Sequence, residues 1–365
     1  MAMKQQLKEP EKIKLGFYSY TYVRVVVMRT LLFKRDDYQK MLKMSFSEIA
    51  KFLQDSNYRK EINELAAQYS GADLIELALN RNLAESFRKL LRISSPEIGM
   101  LVGEYLKRKD IEDIKTILRG KFTNTDEKTV AASIMGAGTF DRGFLLSLLK
   151  KESAEDVLKA MKINNLPEFK IALKDFKEKN NLAGIENALD KYYYINIIKF
   201  SRRLPKQGDL FRQFLRKEVD ILNILTLLRL KKHNFRKGEI KNFIIPYDNK
   251  AKDLWISNLV NADGLDNLAK LLEKTEYRNI ISKGMEEFKK TGSLIMLEIG
   301  LYRHLLKQTI LFMHQHLLSI DVILGYMFAK DIEVRNLKII VKGKQLGLDV
   351  QFIESQLIYD NPSAS

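Results

Sequence analysis

The chain has 365 residues, carries 62 Lys and Arg against 46 Asp and Glu for a net charge of +16, and contains no cysteine. Without thiols there are no disulfides or thiolate metal sites, and a reducing compartment is the simpler expectation. A composition of 45% hydrophobic and 30% charged residues is globular rather than disordered or collagenous, and the longest run free of charge, Gln308 to Ile320, falls short of the roughly 20 residues a membrane span needs.

In chain order, Met1 to Lys14 is charged where a secretory leader would be apolar, so residues 1–15 read as a flexible segment. Tyr18 to Leu32 follows, with the β-branched run Val25 to Val27 as its one dissent from helix. Next comes EIAKFL at Glu48, the first of three similar strings, with DVLKAM at Asp156 and NLAKLL at Asn267. ELALNR at Glu76 matches ENALDK at Glu186 and EIGLYR at Glu298; each is a Glu followed five positions later by a cation. DIEDIKTILRGK at Asp110 matches DILNILTLLRLK at Asp220 and EVRNLKIIVKGK at Glu333 without gaps, at offsets of 110 and 113. Three landmarks in one order at one spacing make a domain-length repeat of roughly 110 residues, near the commonest domain size.

Proline and glycine are scarce, 6 and 18 residues, and no proline stands between Pro10 and Pro96. Ile111, Ile114, Ile117 and Leu118 recur at steps of three and four, the helical period, and no convincing strand alternation occurs. Gly120 and Gly343 sit where left-handed helix caps would suit glycine, although Leu230 holds the same place in the second copy. The sequence therefore predicts an all-α fold of three tandem helical bundles at 16–140, 141–249 and 250–360, with a flexible tail at 361–365.

The charge is uneven. Thirteen cations face four acids between Lys199 and Lys241, a field suited to nucleic acid, anionic lipid or an acidic protein surface, or merely two solvated helix faces. Phe200, Phe211, Phe214 and Phe235 fit core positions at least as well as stacking ones. No catalytic, cofactor-binding or metal residues are assigned. His233, His304, His314 and His316 include no pair at the four-residue spacing of a helical zinc site. RGKFT at Arg119 and KGKQL at Lys342 lack the earlier glycine and the hydroxyl of a phosphate-cradling loop, and NADGLDN at Asn261 reads as a helix start rather than a calcium loop.

Repeated acids remain. Glu76, Glu186 and Glu298 come with Arg81, Lys191 and Arg303; Asp110, Asp220 and Glu333 come with Asp113, Asn223 and Asn336 on the same helix face. An active site is rarely triplicated within one chain, so these groups read as one polar network per bundle that fixes helix register.

YSYTYVRVVVMRTLL (Tyr18–Leu32), LKRKDIEDIKTILRGK (Leu106–Lys121), EVDILNILTLLRLKK (Glu218–Lys232) and EVRNLKIIVKGKQLGL (Glu333–Leu348) resemble the C subunit of the archaeal A-type ATP synthase, the relative of the d subunit in the vacuolar ATPase. The resemblance covers about Gly16 to Asp360; one departure is Val26, where the family often carries a second cation. It implies a funnel of three similar helical domains about a pseudo-threefold axis, with no catalytic residue, cofactor or small-molecule substrate. It also implies a peripheral seat on the cytoplasmic face of the membrane, where the protein joins the rotor ring to the central axle and carries torque. The alternative is a basic helical-repeat protein that binds nucleic acid; repeats of that kind usually run 34 to 47 residues, and the longer period argues against it.

Overall fold

The computed structural model describes residues 18–205, 208–247, 249–315 and 320–359. Helix makes up 77% of the structure, and no strand occurs among the described residues. The expected flexible ends lie outside the described residues.

After α1 (Ser19–Thr30), one six-helix series is written three times. The first is α2 (Arg35–Lys43), α3 (Phe46–Gln54), α4 (Arg59–Leu65), α5 (Gly71–Ile93), α6 (Pro96–Phe122) and α7 (Glu127–Ser133). The second is α8 (Arg142–Leu149), α9 (Ala154–Ala160), α10 (Pro167–Lys179), α11 (Ala183–Ser201), α12 (Asp209–Lys232) and α13 (Lys237–Lys241). The third is α14 (Lys250–Asn261), α15 (Gly264–Leu272), α16 (Arg278–Thr291), α17 (Ile295–Gln315), α18 (Ile320–Gln345) and α19 (Val350–Ser355). The three sequence landmarks fall on α3, α5 and α6 in the first series, α9, α11 and α12 in the second, and α15, α17 and α18 in the third.

Local chemistry explains the boundaries. Ser45 and Glu48 close a capping box at the start of α3, with the Ser45 N–H donating to Glu48 Oε2 at 2.7 Å. Pro96 opens α6 behind a Ser95 cap, a position where its missing N–H costs nothing. Each long second helix ends alike, in a left-handed residue: Asn124 (φ 52°), Asn234 (φ 56°) and Gly347 (φ 66°). The next N–H, of Thr125, Phe235 or Leu348, then donates to the carbonyl of Gly120, Leu230 or Gly343 at 2.9, 3.0 and 2.9 Å.

Those caps correct the expectation for Gly120 and Gly343, which lie inside α6 and α18. Glycine is needed there for close approach: a Cβ on Gly120 would collide with the Val130 methyls, and one on Gly343 would meet Ile353 Cγ1 at 2.6 Å. NADGLDN does open a helix, with Asp263 before α15 and Gly264 at φ +72°. Val25 to Val27 lie in helix throughout, because α1 buries Thr21, Val25 and Met28 and packs along α18 and α5; tertiary contact overrides the β-branched preference.

Packing crosses the copies. The second long helix of each series meets the first long helix of the next series more extensively than its own: α6 on α11, α12 on α17, and α18 back on α5. α18 also packs on α1 and α2, so the last copy returns to the first and the contacts close in a cycle.

Candidate functional site

Each step of that cycle is fastened by the repeated residues. Arg119 Nε donates to Glu186 Oε1 at 2.6 Å, Arg229 bonds Glu298, and Lys342 Nζ lies 2.8 Å from Glu76 Oε1. Two residues further along, Lys121 Nζ donates to the Leu149 carbonyl at 2.7 Å, Lys231 Nζ to that of Val260 at 2.9 Å, and Lys344 Nζ to that of Leu42 at 2.7 Å. Each of these lysines caps the first helix of the following copy. The glutamates therefore pair with the cation of the preceding copy's motif, and the nearby cations are used elsewhere. Arg81 bonds Glu64, Lys191 bonds the Asn242 carbonyl, and Arg303 bonds those of Ser355 and Leu357.

The buried acids and amides clamp chain rather than helices. Asn223 bonds both the N–H and the C=O of Ile245, each at 2.9 Å, and Asn336 does the same to Ile358 at 2.8 and 2.6 Å. Asp113 accepts instead from the N–H groups of Met135 and Gly136 at 2.7 and 2.8 Å, and burial pushes its carboxyl up to about 6. Asp110 accepts from the Thr139 and Phe140 N–H groups, Asp220 pairs with Lys252, and Glu333 accepts from the Phe33 N–H, Tyr58 and Lys330. These three acids hold the stretch of chain that enters the next copy, and for Glu333 the next copy is the first.

A cavity of about 600 Å³ opens among the copies, walled by α6, α11, α12, α17 and α18. At its wall meet Arg108, Glu218 and Asp331, which occupy one and the same position of the three motifs. Arg108 Nη1 donates to Glu218 Oε1 at 2.9 Å, Arg108 also bonds Asp331, and Lys109 Nζ reaches Asp331 Oδ1 at 2.8 Å. The side chains are 8 to 13% exposed. Burial raises the Glu218 carboxyl. At Asp331 burial acts the same way but is outweighed by Lys109 and Arg108, which hold that carboxyl low. Arg108 and Lys109 balance Glu218 and Asp331, and the more exposed Glu112 adds a second carboxylate to Lys109 at 2.8 Å. A motif built from agreements discards this position, and its only signal in the sequence was complementary charge where the copies disagree.

The basic segment divides. Arg212 pairs with Asp209, Lys217 with Glu276, Arg229 with Glu298 and Lys237 with Asp263, while Lys231 and Lys232 bond carbonyls of the third copy. Lys199, Arg202 and Arg203 line a separate cavity of about 840 Å³ between α6 and α11, beside Lys107, Glu104 and Phe200. Five of the thirteen cations thus serve the seam between copies two and three, which weakens the support for nucleic-acid binding.

His304 lies against Tyr277 and Glu276, and burial lowers its pKa. His233 follows α12 as its C-cap; the His314 and His316 side chains lie outside the described residues. Val26 is half-buried and lines a hollow with Tyr22, Phe33 and Val322. Among the described residues no group of three or more His, Asp or Glu could hold a metal, and no helix is long and apolar enough to cross a membrane.

The family described as ATP synthase (C/AC39) subunit matches residues 21–356. The chain belongs to this family. Among relatives named as the C subunit of an A-type ATP synthase, that of Methanococcoides burtonii is 38% identical over 343 residues, 93% of this chain and 94% of the relative. That of Methanosarcina acetivorans is 37% identical over 97% of each chain, and that of Halobacterium salinarum 30% identical over 93% of this chain and 97% of the relative. Family members thus match the chain across nearly its whole length, all three copies included.

Proposed function

We propose that the protein is the non-catalytic central-stalk subunit of an A-type ATP synthase. It forms the socket that joins the membrane rotor ring to the central axle and transmits torque between ion translocation and ATP synthesis or hydrolysis. In this reading the three six-helix series form a collar with pseudo-threefold symmetry, the domains divide near 140 and 249, and the protein sits peripherally on the cytoplasmic face of the membrane. The observation that carries it is the closed cycle of contacts around a cavity walled by all three copies. A torque coupler must resist shear from every side, and a ring of helices fastened at each seam does so where an open row would splay. Stable docking at either end of such a socket buries about 1,200 to 2,000 Å² in total, so broad surfaces rather than single residues hold the partners. The test is to isolate the protein from native membranes under gentle detergent and identify what accompanies it. Recovery of ring and axle subunits in fixed proportion supports the reading; recovery of the protein without them refutes it.

A further inference from the structure

The cavity among the copies is lined by six cations, and five have a carboxylate within ion-pair distance. Arg108 has Glu218 and Asp331, Lys109 has Asp331 and Glu112, Lys115 has Asp190, Arg335 has Glu298, and Lys342 has Glu76. Lys338 has none among the described residues. It is half-buried, burial lowers its pKa, and Lys109 adds repulsion. The acids that act on it from a distance, Glu112, Glu76 and Asp331, are those already paired with Lys109, Lys342 and the Arg108 cluster. A cation taken partly out of water without a counter-charge in contact destabilises the chain that holds it, and among the described residues these distant acids offset that cost only in part, since the pKa stays lowered.

The same position in the other copies is Lys115 on α6 and the buried Leu225 on α12. The α18 side of the cavity is basic, with Arg335, Lys338 and Lys342 at helical spacing, whereas α12 and α17 present Ile221, Leu222 and Leu305. The lining is therefore polarised, cationic on one side and aliphatic on the other.

We propose that Lys338 is the cavity's recognition residue: it receives an Asp or Glu side chain from an amphipathic helix end of the axle, whose opposite face lies on Ile221, Leu222 and Leu305. This rests on the reading that the cavity is the axle's socket. It adds the chemistry of the part that enters, and it makes Lys338 a residue that costs the isolated chain stability and contributes it to the complex.

Opposite signs in two measurements test this. Lys338→Met should raise the melting temperature of the isolated chain, by about 2 °C or more, because a half-buried charge without an ion pair is removed. The same variant should weaken binding of the co-expressed axle subunits at least about tenfold and flatten the dependence of that binding on salt. Lys338→Arg should keep binding. If the unaltered chain does not bind the axle subunits, the socket reading falls and this inference with it. If Lys338→Met binds as tightly as the unaltered chain with the same salt dependence, or lowers the melting temperature, the assignment of Lys338 alone is overturned.

Discussion

The rim and the centre of the molecule solve one problem in opposite ways. At the rim, Arg119–Glu186, Arg229–Glu298 and Lys342–Glu76 repeat the same charge pair three times, one to each seam, with the cation more than half exposed in each. At the centre the three equivalent residues touch, so they cannot be the same: a cation repeated thrice would repel itself, and so would an anion. The copies there have become Arg108, Glu218 and Asp331, with Lys109 beside them as the second cation. Repeats preserve what is separated and must diversify what meets.

The contrast can be broken first at the centre. Arg108→Glu would set three acids against Lys109 alone and should cost about 3–5 kcal/mol, read as a lower urea midpoint. Adding Glu218→Arg to the same chain restores one cation between two anions and should recover most of that loss; no recovery would mean that packing, not charge, holds the centre. Next is the clamp. Asn336→Ala leaves the buried N–H and C=O of Ile358 without their partner, and about 2–4 kcal/mol should be lost in the same measurement.

The first copy carries Asp113 where the others have Asn, and the sign of its effect follows from its raised pKa. The carboxyl sits near 6 in the fold against 3.8 when exposed, so its favourable contribution is full below about 4 and disappears as pH rises through about 6. The difference is about 2–3 kcal/mol across that window. Asp113→Asn should remove this window from a plot of melting temperature against pH. An unchanged profile would place the titrating group elsewhere. Gly120→Ala forces a methyl against Val130 and should cost about 1–3 kcal/mol by thermal melting. The rim should matter least: Arg119 is 61% exposed, and Arg119→Gln should cost no more than about 1 kcal/mol and less at high salt. A larger loss would mean that the rim pairs, rather than the buried contacts, close the cycle.

The triplication, the all-helical class and the helices bearing each landmark were legible because they rest on agreement between copies and on the 3.6-residue period. What agreement cannot show is which copy a residue touches. Glu186 with Lys191 looked like a local pair, whereas in the fold Glu186 answers Arg119, 67 positions away. Gly120 suggested a cap by its place near a helix end, while the close approach of α7 is a property of packing that no local pattern records. Arg108, Glu218 and Asp331 were invisible for a third reason, since their significance lies in their difference. The basic segment was visible, but its partners Glu276, Glu298 and Asp263 lie in another copy, beyond any local tally of charge.

The Glu333 bond to the N–H of Phe33 and the stacking of Tyr359 on Tyr38 bring the end of the third series against the start of the first. The joint is of the same kind as those bridged by peptide, so the cycle of contacts among the copies has no open seam among the described residues. A chain reopened between α13 and α14, with its third series joined to its first, would then be expected to keep the same contacts between α18 and α5 and between α6 and α11.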